Sequence, residues 1–159
     1  MILVTLGTND KRFDRLLAAV EKAVKEGIIT DEVVVQAGYT SWQSDCIRVT
    51  DYLDREAFDE YIRTASLIIC HGGVGTIMTG LKNRRKILAA ARLQKYHEHV
   101  NDHQIQLLEA FEKRGYLIYM RDLDDIRPYL EKARDFEPEM YQSNTAGMVR
   151  LIEDWIEKN

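Results

Sequence analysis

The sequence predicts an α/β fold: a Rossmann-like, mostly parallel sheet with helices on both faces. Two observations carry that prediction. Short apolar runs of strand length alternate with stretches whose apolar residues recur at helical spacing. Several of the apolar runs end directly on glycine or short polar residues, as strands entering tight turns do. The 159 residues fit one domain, 1–159, and 45% hydrophobic with 30% charged residues is the composition of an ordinary globule.

The elements follow in order. Met1–Leu6 is a buried strand ending at Gly7, and Phe13, Leu16, Leu17, Val20 and Val24 mark a helix closed by Gly27. Glu32–Ala37 is a second strand, closed by Gly38, and a weaker third runs near Cys46–Val49. Phe58, Tyr61 and Ile62 mark the next helix. Leu67–Cys70 is a strand that runs into His71-Gly72-Gly73, with a helix starting near Gly75. Lys86–Ala91 is another strand. Val100, Ile105, Leu108 and Phe111 form the stripe of a longer helix ending at Gly115, with Asn101 or Asp102 as its N-cap. Tyr116–Met120 is the last strand, and Met148, Leu151, Ile152, Trp155 and Ile156 give an amphipathic C-terminal helix.

Composition excludes several function classes. A net charge of -4 argues against nonspecific nucleic-acid binding, which needs a basic surface. No run approaches the roughly 18 apolar residues of a membrane span, and the opening residues lack the features of a signal peptide. Two cysteines, Cys46 and Cys70, read as reduced and cytoplasmic.

In a parallel sheet, ligands bind beyond the carboxyl ends of the strands. The loops that matter are therefore Gly7–Asp10, Gly38–Ser44, His71–Thr76 and Arg92–His103. In the block Leu67 to Thr76, a buried strand opens onto Gly72, Gly73 and Gly75 and then a helix start. Glycines allow close approach of a ligand to the main chain. The helix N-terminus offers unpaired N–H groups, and Thr76 adds a hydroxyl, a combination suited to phosphate or pyrophosphate. The block is not a Walker loop, because Thr76 is followed by Ile77 and Met78. It also misses the dinucleotide fingerprint, since the next glycine after Gly75 is Gly80. A plain tight strand-to-helix turn is the alternative explanation of the glycines. Gly7 and Thr8 repeat the logic at the first strand end, where an N-capping turn is the plainer reading.

Three of the 4 histidines lie in His97-Glu98-His99-Val100-Asn101-Asp102-His103-Gln104. His99 and His103 are spaced as two metal ligands on a helix would be, but the only histidine outside this segment is His71. The same run reads as a polar helix entrance with Val100 and Ile105 facing the core. Functionally, Glu98, Asp102 and Gln104 suit the hydroxyls of a sugar or ribose, and His103 suits phosphate contact or a proton shuttle. Lys82, Arg84, Arg85, Lys86, Arg92 and Lys95 form a basic stretch without Asp or Glu, which suits anionic lipid headgroups, a lipid pyrophosphate, or simply solvent. Asp122-Leu123-Asp124 imitates a D-x-D metal motif, but acidic residues opening a helix account for it.

Taken together, the opening Ile2 to Thr8, the block His71 to Ile77 and the block Glu98 to Gln104 resemble the short subunit of two-subunit glycosyltransferases related to glycosyltransferase family 28. One branch serves bacterial capsule and exopolysaccharide synthesis. Another is the catalytic subunit that adds the second GlcNAc to a dolichol-linked acceptor. The resemblance implies the nucleotide-sugar-binding half of a GT-B fold, the other half being a membrane-anchored partner subunit. It implies a UDP-sugar donor, galactose favoured, a polyprenyl-pyrophosphate-linked sugar as acceptor, inversion at the anomeric carbon, and no cofactor or metal. It implies a cytoplasmic chain recruited to the cytoplasmic face of the membrane, able to self-associate when isolated. Carried onto this chain, Gly72, Gly73, Gly75 and Thr76 hold the UDP diphosphate, Gly7 and Thr8 face the other half, and His103 and Gln104 approach the sugar. Relatives place an acidic ribose-binding residue where this chain has Thr79. His71 and His103 are the local candidates for the base. A noncatalytic UDP-binding or partner-binding module and a metal-dependent hydrolase are the alternative readings.

Overall fold

Six strands pair side by side in the order β3-β2-β1-β4-β5-β6 in the computed structural model, and every pairing is parallel. The structure describes residues 1–142, 150, 152 and 153. The strands are β1 (Ile2–Thr5), β2 (Val33–Gln36), β3 (Arg48–Thr50), β4 (Leu67–His71), β5 (Ile87–Ala90) and β6 (Ile118–Tyr119). The helices are α1 (Asp14–Lys25), α2 (Arg55–Thr64), α3 (Val74–Lys82), α4 (His103–Lys113) and α5 (Arg127–Asp135).

The period-2 alternation of the strands divides the core into two layers. Ile2 and Val4 of β1, with Val33 and Val35 of β2 and Leu67 and Ile69 of β4, pack under Phe13, Leu16, Leu17 and Val20 at α1 and under Ala133 of α5. Leu3, Ile68 and Cys70 point the other way, against Ile62 of α2, Ile77 and Leu81 of α3, and Leu107, Leu108 and Phe111 of α4. Burial on both faces explains why these strands read as continuous apolar runs.

The expected elements up to and including the last strand are present, with shifted ends. The third strand sits at Arg48–Thr50, two residues past Cys46, and the last is only Ile118–Tyr119. The α5 helix was not foreseen, because only Tyr129, Leu130 and Ala133 of it reach the core. Asp122 and Asp125 accept backbone N–H bonds from Asp124 and Arg127 and so shape the turn that leads into α5. Val100 does not face the core; it is 66% exposed, because α4 begins only at His103. Of the expected C-terminal helix, only Ile152 among the named apolar residues is described, and it packs against the second layer. Met148, Leu151, Trp155 and Ile156 lie outside the described residues.

Candidate functional site

The strand order reverses direction at β1. From β1 the chain moves outward to β2 and β3, then returns to place β4 on the other side of β1 and continues to β6. Loops leaving the carboxyl ends of β1 and β4 therefore diverge and leave a crevice between them, as open α/β sheets do at such a switch point. A cleft of about 700 Å³ lies there. Gly7, Thr8 and Asn9 line it from the first loop; His71, Gly73, Val74, Gly75, Thr76 and Thr79 from β4 and α3; His99 and Gln104 from the α4 entrance; and Gln36, Tyr52, Leu53, Arg55 and Phe58 from the β2 and β3 side. The lining carries one arginine and no carboxylate.

The floor is a histidine that two glycines approach closely. Gly7 has φ +72, a conformation that glycine adopts at little cost. A Cβ on Gly7 or on Gly73 would overlap the His71 ring. His71 is buried, and its Nδ1 has no hydrogen-bond partner among the described residues. Burial first, and then the positive charge of Arg92, pushes its pKa down to about 3. His71 is therefore neutral throughout the physiological range and is only a weak base. The linkage has a definite sign. The unfolded histidine titrates near 6.5 and the folded one near 3, so the unfolded chain binds the extra proton between those values. Stability is expected to rise with pH across that window and to level off above it. Urea unfolding between pH 4 and pH 8 checks this, and His71→Asn should flatten the slope.

The roof of the cleft is the start of α3. Its N-cap is Gly73, which supplies no side-chain bond, so the first N–H groups of the helix lack intrahelical acceptors. A Cβ on Gly75 would meet nothing within 4 Å, so that turn is open. The Gly72 N–H, by contrast, donates to Gln104 Oε1 at 3.1 Å, and Thr79 Oγ1 donates to the Gly75 carbonyl at 2.9 Å.

Two buried polar side chains fix the loops around this cleft. Gln104 Oε1 accepts from the N–H of Gly72 and also from that of Arg92 at 3.0 Å, joining the ends of β4 and β5. The fully buried Arg92 donates to the carbonyls of Leu6 (2.6 Å), Lys11 (2.9 Å) and Glu98 (3.2 Å). Its guanidinium thus ties β5 to the loop after β1, and lies 5.1 Å from the Phe13 ring centroid.

The expected site residues are therefore partly assembled. Gly7, Thr8, His71, Gly73, Gly75, Thr76, Thr79 and Gln104 share the cleft, and Gly72 lies directly behind it. Glu98, Asp102 and His103 do not line it. Glu98 is buried and binds Arg15 through both oxygens, at 2.8 and 2.7 Å. Asp102 accepts from the Gln94 N–H, and the His103 N–H donates to Asn101 Oδ1. The helical metal spacing is not formed, because His99 precedes α4 and His103 is its first residue. Among the described residues there is no group of three or more metal-capable side chains. The basic stretch is likewise dispersed: Arg92 is interior, Lys86 Nζ donates to the carbonyls of Ala133 and Arg134 at the end of α5, and Arg85 donates to the Ala65 carbonyl. Asn9, Gln36, Tyr52, Leu53, Arg55, Phe58 and His99 were missed. Asn9 and His99 lie in two of the strand-end loops singled out above, whereas Gln36 ends β2 and Arg55 and Phe58 belong to α2, where no local signal marks them.

An open, wholly parallel sheet with helices on both faces and a cleft at its switch point is the arrangement of Rossmann-like domains. Residues 1–154 match the Glycosyltransferase family 28 C-terminal domain, and the chain belongs to that family. Over 125 residues it is 24% identical to the mouse (Mus musculus) UDP-N-acetylglucosamine transferase subunit ALG13, a match spanning 73% of this chain and 10% of that protein. The solution structure of ALG13 superposes with TM-score 0.60 at 14% identity, covering 94% of this chain and 93% of that one. Acinetobacter baumannii MurG superposes with TM-score 0.61 at 18% identity, covering 99% of this chain and 49% of that one. The fold is that of one half of a GT-B glycosyltransferase.

Proposed function

We propose that the chain is the donor-binding half of an inverting UDP-sugar glycosyltransferase that works with a partner subunit. The observation that carries this reading is the cleft itself: the free N-terminal turn of α3, Gly75 open to the ligand, and a lining with Arg55 and no carboxylate. A nucleoside diphosphate fits that chemistry, with its phosphates on the α3 N–H groups and Thr76, and its base against Tyr52 and Phe58. Those N–H groups and the Thr76 hydroxyl would stabilise the charge that develops on the leaving diphosphate. The acceptor hydroxyl attacks the anomeric carbon from the opposite side, and its proton goes to a general base. His71 is held neutral and weakly basic, which favours a base supplied across the cleft by the partner half.

The finer reading is a hexose donor, galactose first, a polyprenyl-pyrophosphate-linked acceptor in capsule or exopolysaccharide assembly, and a membrane-anchored partner that recruits this chain. It rests on the family resemblance and on the UDP-N-acetylglucosamine transferase subunit among the relatives. No helix among the described residues is long and apolar enough to cross a membrane, so anchoring is assigned to the partner.

Calorimetric titration of UDP in EDTA, with ADP and GDP as controls, tests the reading. The expected result is saturable, UDP-selective binding by the chain alone or with its partner. Absence of UDP binding in both conditions overturns it.

A further inference from the structure

His99 carries no role in the reading above, yet its geometry is specific. Its Nδ1 accepts the backbone N–H of Asn101 at 3.3 Å. A backbone N–H can only donate, so Nδ1 must present a lone pair. The same residue lines the cleft beside His71 and Gln104. Its Nε2 is not sealed from solvent, unlike the buried and unpartnered Nδ1 atoms of His71 and His103.

We propose that His99 is a ligand-binding residue of the cleft, a neutral imidazole whose Nε2–H donates to a phosphate oxygen of the bound nucleoside diphosphate. The proposal rests on the donor-binding reading of the cleft and adds a residue to it. The Asn101 bond fixes the tautomer, since a neutral ring with Nδ1 as acceptor carries its proton on Nε2. The surroundings keep the ring neutral. Partial burial acts first, then the positive fields of Arg92, His103 and Lys11, and all lower its pKa; Asp102 alone opposes them. A neutral donor suits a site whose floor is already a neutral His71: the phosphate gains a directed hydrogen bond without a titrating cation beside it.

The test has two parts. Long-range ¹⁵N–¹H spectra of the wild-type chain at pH 7 read the tautomer directly; the Nε2–H form is expected, with its proton shifting on addition of UDP. UDP affinity is then measured for His99→Phe, which keeps ring shape without nitrogens, and for His99→Gln, whose amide reaches to the same place. His99→Phe is expected to bind about 10-fold more weakly, the effect of one hydrogen bond to a charged group, and His99→Gln to stay within about 3-fold. A Nδ1–H or doubly protonated ring at pH 7 overturns the proposal, as does a folded His99→Phe that binds UDP like wild type. Absence of UDP binding by the wild-type chain, both alone and with its partner, overturns the donor-site reading instead, and this proposal with it.

Discussion

Gly73→Val is expected to lower UDP affinity by at least about 100-fold, roughly 2.7 kcal/mol. The cause is steric and local. A Cβ at Gly73 overlaps the His71 ring, and so would one at Gly7, so both glycines crowd the Cε1 and Nε2 edge of that ring. The ring must leave its slot toward the cleft, where the phosphates would lie, and the first turn of α3 shifts with it. Gly75→Ala is the matched control for the His71 floor alone, since Gly75 itself lines the cleft. Its added methyl meets nothing within 4 Å, so it leaves the floor intact and should stiffen the start of α3 by up to about 1 kcal/mol. Calorimetry on both variants, with circular dichroism confirming the fold, decides the matter. Gly73→Val binding within about 3-fold of wild type would remove the phosphates from this turn.

Arg92→Met is expected to destabilise the fold by about 3–5 kcal/mol, the range for breaking a buried charged network, with Tm falling on the order of 10 °C. Replacing a buried ion pair by apolar groups is often neutral, but that argument fails at this position. The acceptors are the main-chain carbonyls of Leu6, Lys11 and Glu98, which no mutation removes and which methionine would leave unpaired. Arg92→Lys keeps the charge but loses the planar fork that reaches several carbonyls at once, so it should fall between the two. Because Leu6 and Lys11 flank the Gly7–Asn9 loop, the surviving folded fraction should also bind UDP more weakly. Denaturant unfolding monitored by tryptophan fluorescence measures the first effect, and a loss below about 1 kcal/mol would contradict the strut.

The glycine block illustrates what was legible from the residues alone. A buried run ending in His71-Gly72-Gly73-Val74-Gly75-Thr76 announces a strand, a turn and a helix start, and the structure forms these at β4 and α3. Each element there is decided by neighbours a few residues away. The histidine block shows the limit. Glu98, His99, Asp102 and His103 are alike in polarity and lie within six positions, yet only His99 lines the cleft. Glu98 faces Arg15, 83 positions earlier in the chain, and no local pattern encodes that separation.

Arg92 shows the same division most sharply. Its place in a basic run read as surface, since arginine is seldom fully buried without partners. Its partners are Leu6 and Lys11, on the loop after the first strand, and their carbonyls carry no side-chain signature. The sequence by itself determined the layered α/β architecture, the strand-end loops and the glycine turn between β4 and α3, because apolar periodicity and glycine placement are local properties of the chain. Only the tertiary structure decided which polar residues share the cleft, which are struts behind it, and that His71 is a buried neutral ring. Those outcomes depend on which loops meet at the junction of β1 and β4, and on the desolvation and fields that arise once they do.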